Sequence, residues 1–474
     1  MTIQNKLGMA IGALSGALFA GLPALAQDGP IQNPTVEQMA TMVNKGDTTW
    51  MLISSALVLM MAIPALALFY GGLVRTKNML SLLMQVLIIV SVGAIMWIAV
   101  GYSLAFTPGS PYIGGLSKAM LAGVGTGTYA ATFSNNVYIP EYAFVIFQMT
   151  FACITPALII GAFAERIKFW PLILFCMGWT LLAYYPIAHM VWFWAGPDFL
   201  SVPEYAGDMG LLWGWGALDF AGGTVVHINA GIAGLVGCYV VGKRVGFNKE
   251  PMPPHSLTLT MVGASLLWVG WFGFNAGSNL ESNGLTALAF LNTFVATAAA
   301  TLSWVLVEQI RHGRPSLLGA VTGAVAGLVA ITPAAGFASP GGALILGLIV
   351  SPICYIFVST VKKALGYDDS LDVFGVHGVG GIVGAIGTGI VADPALGGQG
   401  WYDYTVFPAV AGTYDMAGQV MTQIKAVCVT VLWTGIVSFV LFYVIKMVFG
   451  LRPSADDERQ GLDQTSHGES AYNY

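Results

Sequence analysis

The chain has 474 residues, 56% of them hydrophobic and only 9% charged. A soluble domain carries about 25% charged residues, so this balance excludes a water-soluble globular chain. The formal net charge of −5 is too small to imply a nucleic acid or another strongly charged partner. Apolar runs of about 20 residues recur, the length a helix needs to cross the bilayer core. They lack the alternation of outer-membrane barrel strands, and the expected fold is an all-α polytopic membrane protein.

Residues 1–26 read as a secretory signal peptide. Lys6 supplies the positive start, LGMAIGALSGALFAGL the apolar middle, and Ala24-Leu25-Ala26 a small-residue cleavage site. The transmembrane domain is expected over 27–449, with spans at about 48–72, 80–106, 141–164, 169–193, 217–241, 257–277, 284–309, 316–335, 341–362, 372–392 and 417–449, by the length criterion. A polar tail, 450–474, follows; on composition it could be disordered.

The loops sort by charge. One side holds Arg75, Lys77, Arg166, Lys168, Lys243, Arg244, Lys249, Arg311, Arg314, Lys362, Lys363, Lys446, Arg452 and Arg459; the other holds only Lys45, Lys118 and Lys425. By the positive-inside rule the N-terminus lies outside and the C-terminus inside. In an inner membrane this puts the mature N-terminus in the periplasm and the tail in the cytoplasm. The five cysteines lie in apolar runs without metal-type spacing and read as packing residues.

Two stretches carry the chemistry. DFAGGTVVHINAGIAGLVG runs from Asp219 and DVFGVHGVGGIVGAIG from Asp372, and both share H-x-x-x-G-I-x-G-x-x-G after His227 and His377. The first helix ends at Lys243-Arg244 and runs inward. The second begins after Lys362-Lys363 and runs outward. Eleven spans then form an inverted repeat of five plus five, with a long last helix outside it. Transporters of this design bind their substrate near the midplane between the halves. Gly231 and Gly234, like Gly381 and Gly384, fall on nearly one helical face, where small residues let backbones approach and bring the histidines together.

Ionisable groups within the membrane mark functional sites. A single histidine could serve packing by bonding a carbonyl; two at matched positions point to a shared proton or a small polar solute between them. No third ligand suggests a metal. Asp219 is expected to cap its helix N-terminus, to help stabilise a cation, or to do both; Asp372 is expected to cap its own. Phe147 and Phe151, Trp192, and Trp271, Phe274 and Ser278 supply aromatic faces suited to a cation or to an interfacial belt. There is no HExxH, GxSxG or P-loop lysine, so the reading is not that of an enzyme, and no cofactor is expected.

Several stretches, ALFYGGLVRTKN, FACIT, GAFAERIKF, ALDFAGGTVVHINAGIAGLVG, GKRVGF, WFGFNAGS, PSLLGA, DVFGVHGVGGIVG and the tail GLDQTSHGESAY, closely resemble the ammonium transporter (Amt/Mep/Rh) family, its bacterial Amt branch most of all. The resemblance implies a homotrimer with one pore per subunit, carrying ammonium or its analogue methylammonium. It implies an outer ammonium site at Phe151, Trp192 and Ser278 with Asp219 nearby, and stacked gate rings Phe147 and Phe151. Twin histidines His227 and His377 would line the lumen, with Trp271 and Phe274 in the pore wall. The tail resembles the segment through which bacterial members respond to a trimeric PII signal protein. The outer loops 107–140 and 193–216 depart from the family pattern, being longer and richer in aromatics. The expected activity is uptake in which ammonium is captured, deprotonated and conducted as ammonia, with net charge movement. The rivals are an electroneutral channel for ammonia or another small neutral gas, and a sensor acting through a bound PII protein.

Overall fold

The computed structural model describes residues 29–472; the expected signal peptide lies outside them. Among the described residues, ten helices are long and apolar enough to cross a membrane. In chain order they are α1 (Lys45–Leu73), α2 (Thr76–Phe106), α3 (Glu141–Phe163), α4 (Phe169–Trp192), α5 (Gly223–Val241), α6 (Leu257–Gly277) and α7 (Gly284–His312). The shorter apolar α8 (Leu317–Ile331) follows, then α9 (Pro340–Leu365), α10 (Phe374–Val391) and α11 (Met416–Phe449). The eleven expected spans are thus all helical. At 15 residues α8 rises only about 22 Å, and turns at Thr332–Ala338 continue it. Large apolar side chains cover the outer faces, as Leu432, Ile436, Phe439 and Tyr443 do on α11, which suits lipid or another subunit.

The two halves meet where α5 crosses α10. A methyl added at Gly231 would lie 2.3 Å from the Gly378 backbone, and one at Gly381 would lie 3.1 Å from His227 Cβ. The next glycine of each set does something else. Gly234 packs on Ala162 of α3, and Gly384 on the Ala330 backbone of α8. These are the third helices of the two halves, so the pairing obeys the repeat.

Both central helices begin with a wide π-helical turn, Gly223–Ile228 and Phe374–Gly378, and each turn contains its histidine. Each turn is held by an acid eight residues before its histidine, Asp219 in the first half and Asp369 in the second. Its carboxylate accepts from the backbone N–H of Val373 at 3.0 Å and Phe374 at 2.8 Å. The expected cap, Asp372, instead pairs with Lys362 at 2.6 Å. Its backbone is left-handed, φ 58°, the role Gly222 plays at φ 110° in the first half. A side chain at that position cannot fold back over the turn it opens, so the acid three residues earlier does so.

Over its described residues the tail is folded, against the expectation from composition. Residues 450–472 fold along the face where the basic loops gather, through α12 (Ala455–Gln460). Glu458 takes Arg452 and the Val245 N–H. Leu462 is buried, and its N–H donates to Asn78 at 2.9 Å. Asp463 accepts from the N–H groups of Leu80 and Ser81 at 3.0 and 2.8 Å, so it caps α2 from nearly four hundred residues away. Asp463→Ala should remove about 1 kcal/mol of capping and loosen the tail. Limited proteolysis should then cut between 450 and 472 faster than in the wild type; an unchanged rate would place the anchor elsewhere.

The outer loops build three short antiparallel hairpins, Gly109–Ser110 with Ile113–Gly114, Tyr129–Ala131 with Tyr138–Pro140, and Tyr402–Asp403 with Val410–Ala411. Their aromatic surplus is used for packing: Trp194 stacks on Phe133 and Trp213 at 5.9 and 4.6 Å between ring centroids.

Candidate functional site

Three cavities lie in series: the Phe151–Phe274 rings separate the first from the second, and the second and third share side chains. The outermost, about 400 Å³, is lined at its base by Phe151, Trp192, Phe220 and Ser278. The middle one has room of only about 10 Å³ and is lined by Phe274, Trp271, His227, His377, Leu267, Ile154 and other apolar side chains. The third, about 380 Å³, shares Phe69, Tyr70, Val325 and His377 with the middle one and opens among Arg244, Glu308 and His312. About 10–15 Å³ of this kind of space holds one water, so the middle cavity admits one small molecule at a time.

At the outer site Trp192 is fixed by its indole N–H, which donates 3.0 Å to the Asp219 carbonyl. The edge of one ring meets the face of the other between Trp192 and Phe151, 5.8 Å apart at 87°. The Ser278 hydroxyl donates to the Phe274 carbonyl at 2.8 Å. Its proton is thereby committed, and its oxygen lone pairs remain as acceptors at the wall of the outer cavity. Two aromatic rings and a hydroxyl acceptor are what a small N–H-bearing cation needs.

Asp219 does not present its carboxylate to this site. It accepts the backbone N–H groups of Gly222, Thr224 and Val225 at 2.9, 2.9 and 3.2 Å, that of Gly223, and the Thr224 hydroxyl. Of its two readings the geometry realises the cap. It reaches the outer site only through its own carbonyl, which orients Trp192.

The stacked rings between the outer and middle cavities are not the expected pair. Phe151 stacks on Phe274, with centroids 4.2 Å apart and an interplanar angle of 29°. Phe147 meets Phe151 edge-on at 5.0 Å and 61°. Phe147 is one turn above Phe151 on the same helix, and the helix surface turns its ring behind Phe151, towards Gly277 of α6. Phe274, one turn before Ser278, comes from the opposing α6 and can lie flat on Phe151.

Below these rings the imidazoles lie in a row with the aromatics. His227 is sandwiched near Trp271 and Phe274, at 5.4 and 5.9 Å, and lies 5.3 Å from His377 at 23°. The Trp271 indole N–H is anchored on Thr332 at 2.9 Å. The two Nδ1 atoms are 3.2 Å apart, so one carries the proton and the other accepts it. In neutral rings the donor's Nε2 is then bare and the acceptor's Nε2 is protonated. The pair thus offers one acceptor and one donor outward. His227 Nε2 is buried and has no hydrogen-bond partner among the described residues. An unpaired buried polar atom is costly, and a small solute in the middle cavity would satisfy it. The described residues contain no cluster of three metal-type ligands.

Inverted halves, a single file of cavities through the bundle and a buried imidazole pair at its narrowest point define a polytopic membrane transporter of a small polar solute. The family model for the Ammonium Transporter Family matches residues 49–472. The chain is 45% identical to an ammonium transporter of Bacillus subtilis, over 90% of this chain and 98% of that protein, and 44% identical to one of Aquifex aeolicus, over 91% and 94%. It is similar to the crystal structure of Saccharomyces cerevisiae Mep2, with a TM-score of 0.75 and 30% identity over 88% of this chain and 92% of that one. It is also similar to a structure named Sensor Amt Protein, with a TM-score of 0.77 and 26% identity over 91% and 99%. The chain belongs to the ammonium transporter family.

Proposed function

We propose that the chain takes up ammonium across the inner membrane by separating the ion from its proton. Ammonium is captured between Trp192, Phe151 and the Ser278 oxygen. It loses a proton before the Phe151–Phe274 stack, which acts as the gate, and crosses the middle cavity as ammonia. There the bare and protonated Nε2 atoms of the histidine pair serve its N–H groups and its lone pair. A bare cation in so apolar a lumen costs several kcal/mol or more, whereas neutral ammonia costs far less. Potassium has the same charge and no neutral form, so selection is made on the proton. The proton follows along the imidazoles, whose Nδ1 atoms already share one, and uptake moves charge. Asp219 and Asp369 act as positioning residues that set the two wide turns.

The observation that carries this reading is the imidazole pair, 3.2 Å between Nδ1 atoms, facing a cavity with room for one water-sized molecule. On the same reading the working unit is a homotrimer with periplasmic N-termini, and the tail, folded across the cytoplasmic ends of α2 and α5, is where a PII-type protein docks. The sensor alternative shares this geometry and differs in its output.

The test is current across proteoliposomes after an ammonium pulse, with potassium as control. A transient current for ammonium and none for potassium is expected. His227→Ala should lose the current or the discrimination. Internal pH change without current would mean that ammonia moves alone, and the electrogenic part of the proposal would fall.

A further inference from the structure

The outer vestibule contains a second constellation that the conduction path leaves unused. Glu141 opens α3 and is buried, its side chain 3% exposed, in the wall of the cavity that also holds Phe151, Trp192 and Ser278. Glu141, Phe144, Gln148 and Phe151 all line that cavity. Their spacing keeps them on one helical face, so a continuous track of about 15 Å leads from the acid to the outer site. The Tyr102 hydroxyl donates to Glu141 Oε1 at 2.7 Å. Lys118, from the atypical loop 107–140, places its Nζ on the same oxygen and 5.7 Å from the centroid of the Tyr102 ring. Both donors address Oε1, and Oε2 accepts no hydrogen bond among the described residues. The lysine side chain is 36% exposed. The acid is part of the wall, and the cation reaches it from the water of the vestibule.

A buried carboxylate, an aromatic face and an –NH3+ group resting on both make up a primary-ammonium site with its ligand in place. We propose that Glu141 and the Tyr102 ring form an outer subsite for ammonium and small primary alkylammonium ions, and that Lys118 is its tethered competitor. The inference rests on the reading of Phe151, Trp192 and Ser278 as the deeper cation site. A ligand on a short tether acts at a local concentration in the millimolar range, so Lys118 keeps the subsite filled when external ammonium is scarce. An arriving ion is met by the open Oε2 and displaces the lysine from Oε1. It is then held at the head of the track that leads to Phe151. Potassium offers no N–H donors to either oxygen and displaces Lys118 less well.

The experiment is the concentration dependence of methylammonium uptake. In Lys118→Met, which keeps the length and loses the charge, the half-saturating concentration should fall about three- to fivefold, the scale of a partly exposed ion pair. Lys118→Met with Glu141→Gln should return it to the wild-type value or above, and Lys118→Arg, which refills the subsite, should not lower it. An unchanged or raised half-saturation in Lys118→Met overturns the proposal. If that variant does not reach the membrane, Lys118→Cys in a Cys428→Ser background serves instead. An aminoethyl disulfide should behave as wild type and a methyl disulfide as the low-half-saturation form; equal values overturn the proposal. Trp192→Leu, measured alongside, reports on the deeper site separately. If it leaves uptake unchanged, the deeper reading fails while the Lys118 comparison keeps its meaning.

Discussion

Gly231→Ala should abolish transport although it adds one methyl group. The new carbon would lie 2.3 Å from both the Cα and N of Gly378, which are backbone atoms on the facing helix. No side-chain rotation relieves that contact, so α5 and α10 must separate. Overpacking a tight core costs about 1–3 kcal/mol and occasionally more. In a bilayer the helices lack a hydrophobic drive to hold them together against it. Separation also pulls apart the Nδ1 atoms now 3.2 Å apart, because His377 immediately precedes Gly378. Gly435→Ala is the matched control. Its methyl would meet only Ile232 at an ordinary 3.7 Å, and in α11 Ala is favoured over Gly by about 0.5–1 kcal/mol. The measurement is ammonium uptake together with thermal stability in detergent. Wild-type uptake by Gly231→Ala would mean that the histidine pair is not set by this crossing.

That crossing was legible in the sequence because the repeat preserves it residue by residue, His227 with His377 and Gly231 with Gly381. The same offset, applied to Asp219, lands on Asp369. Reading the second stretch from Asp372 broke the offset by three residues, because Asp372 begins a string that merely looks like the first one. The gate rings show a different limit. Phe147 and Phe151 are one turn apart on one helix, and periodicity finds such pairs. The flat stack of Phe151 on Phe274 joins α3 to α6, and no spacing within either helix encodes it. The tail misled for a third reason. Its composition is polar because its partners are backbone N–H groups and charged loops, as Asp463 on Leu80 and Ser81 illustrates. A segment that folds on such partners has no apolar pattern to display.

Arg166→Lys should be as damaging as Gly231→Ala, although charge and approximate length are kept. The Arg166 side chain is fully buried, and its guanidinium addresses three elements at once. Nε donates to the Gly242 carbonyl at the end of α5 at 2.6 Å, and Nη1 to Ser370 at 2.6 Å. Nη2 donates to the Asp368 carbonyl and, at 3.4 Å, to Ala162 of α3. Gly242 and Ala162 stand at the C-terminal ends of α5 and α3, where a cation is favoured, and Asp368 and Ser370 lie in the loop between α9 and α10. A lysine has three donors on one atom and cannot span them, so buried carbonyls would be orphaned beside a displaced charge. Breaking a buried charge network costs about 3–5 kcal/mol. Around Arg166 the network continues: Arg244 holds Asp368 at 2.8 Å and Glu165 at 3.3 Å, and Arg75 holds Glu165 at 2.8 Å. It ties the basic loops of both halves beside the wide turn that carries His377.

The network also fixes a pH dependence. Burial pushes the Asp368 carboxyl up, but hydrogen bonds from Arg244 and the charges of Arg166 and Arg244 outweigh it and hold the group below its ordinary value. Glu165 is held down in the same way, burial opposing and Arg75 and Arg244 prevailing. A lowered folded-state pKa contributes stability that is present above the unfolded value, about 4, and is lost as pH falls through the folded value. Asp369 has the opposite sign. Burial, reinforced by the charge of Asp372, pushes it up to about 6, so its contribution is present at low pH and lost as pH rises through about 6. Thermal stability in detergent should therefore rise on acidification from neutral to about pH 5 and collapse only below the ordinary carboxylate range. Asp369→Asn should remove the rise, and Asp368→Asn should lower the whole curve and make its acid limb shallower, with Glu165 supplying the rest. Stability that falls steadily from pH 7 to 5 would show that Asp369 does not govern this face of the protein.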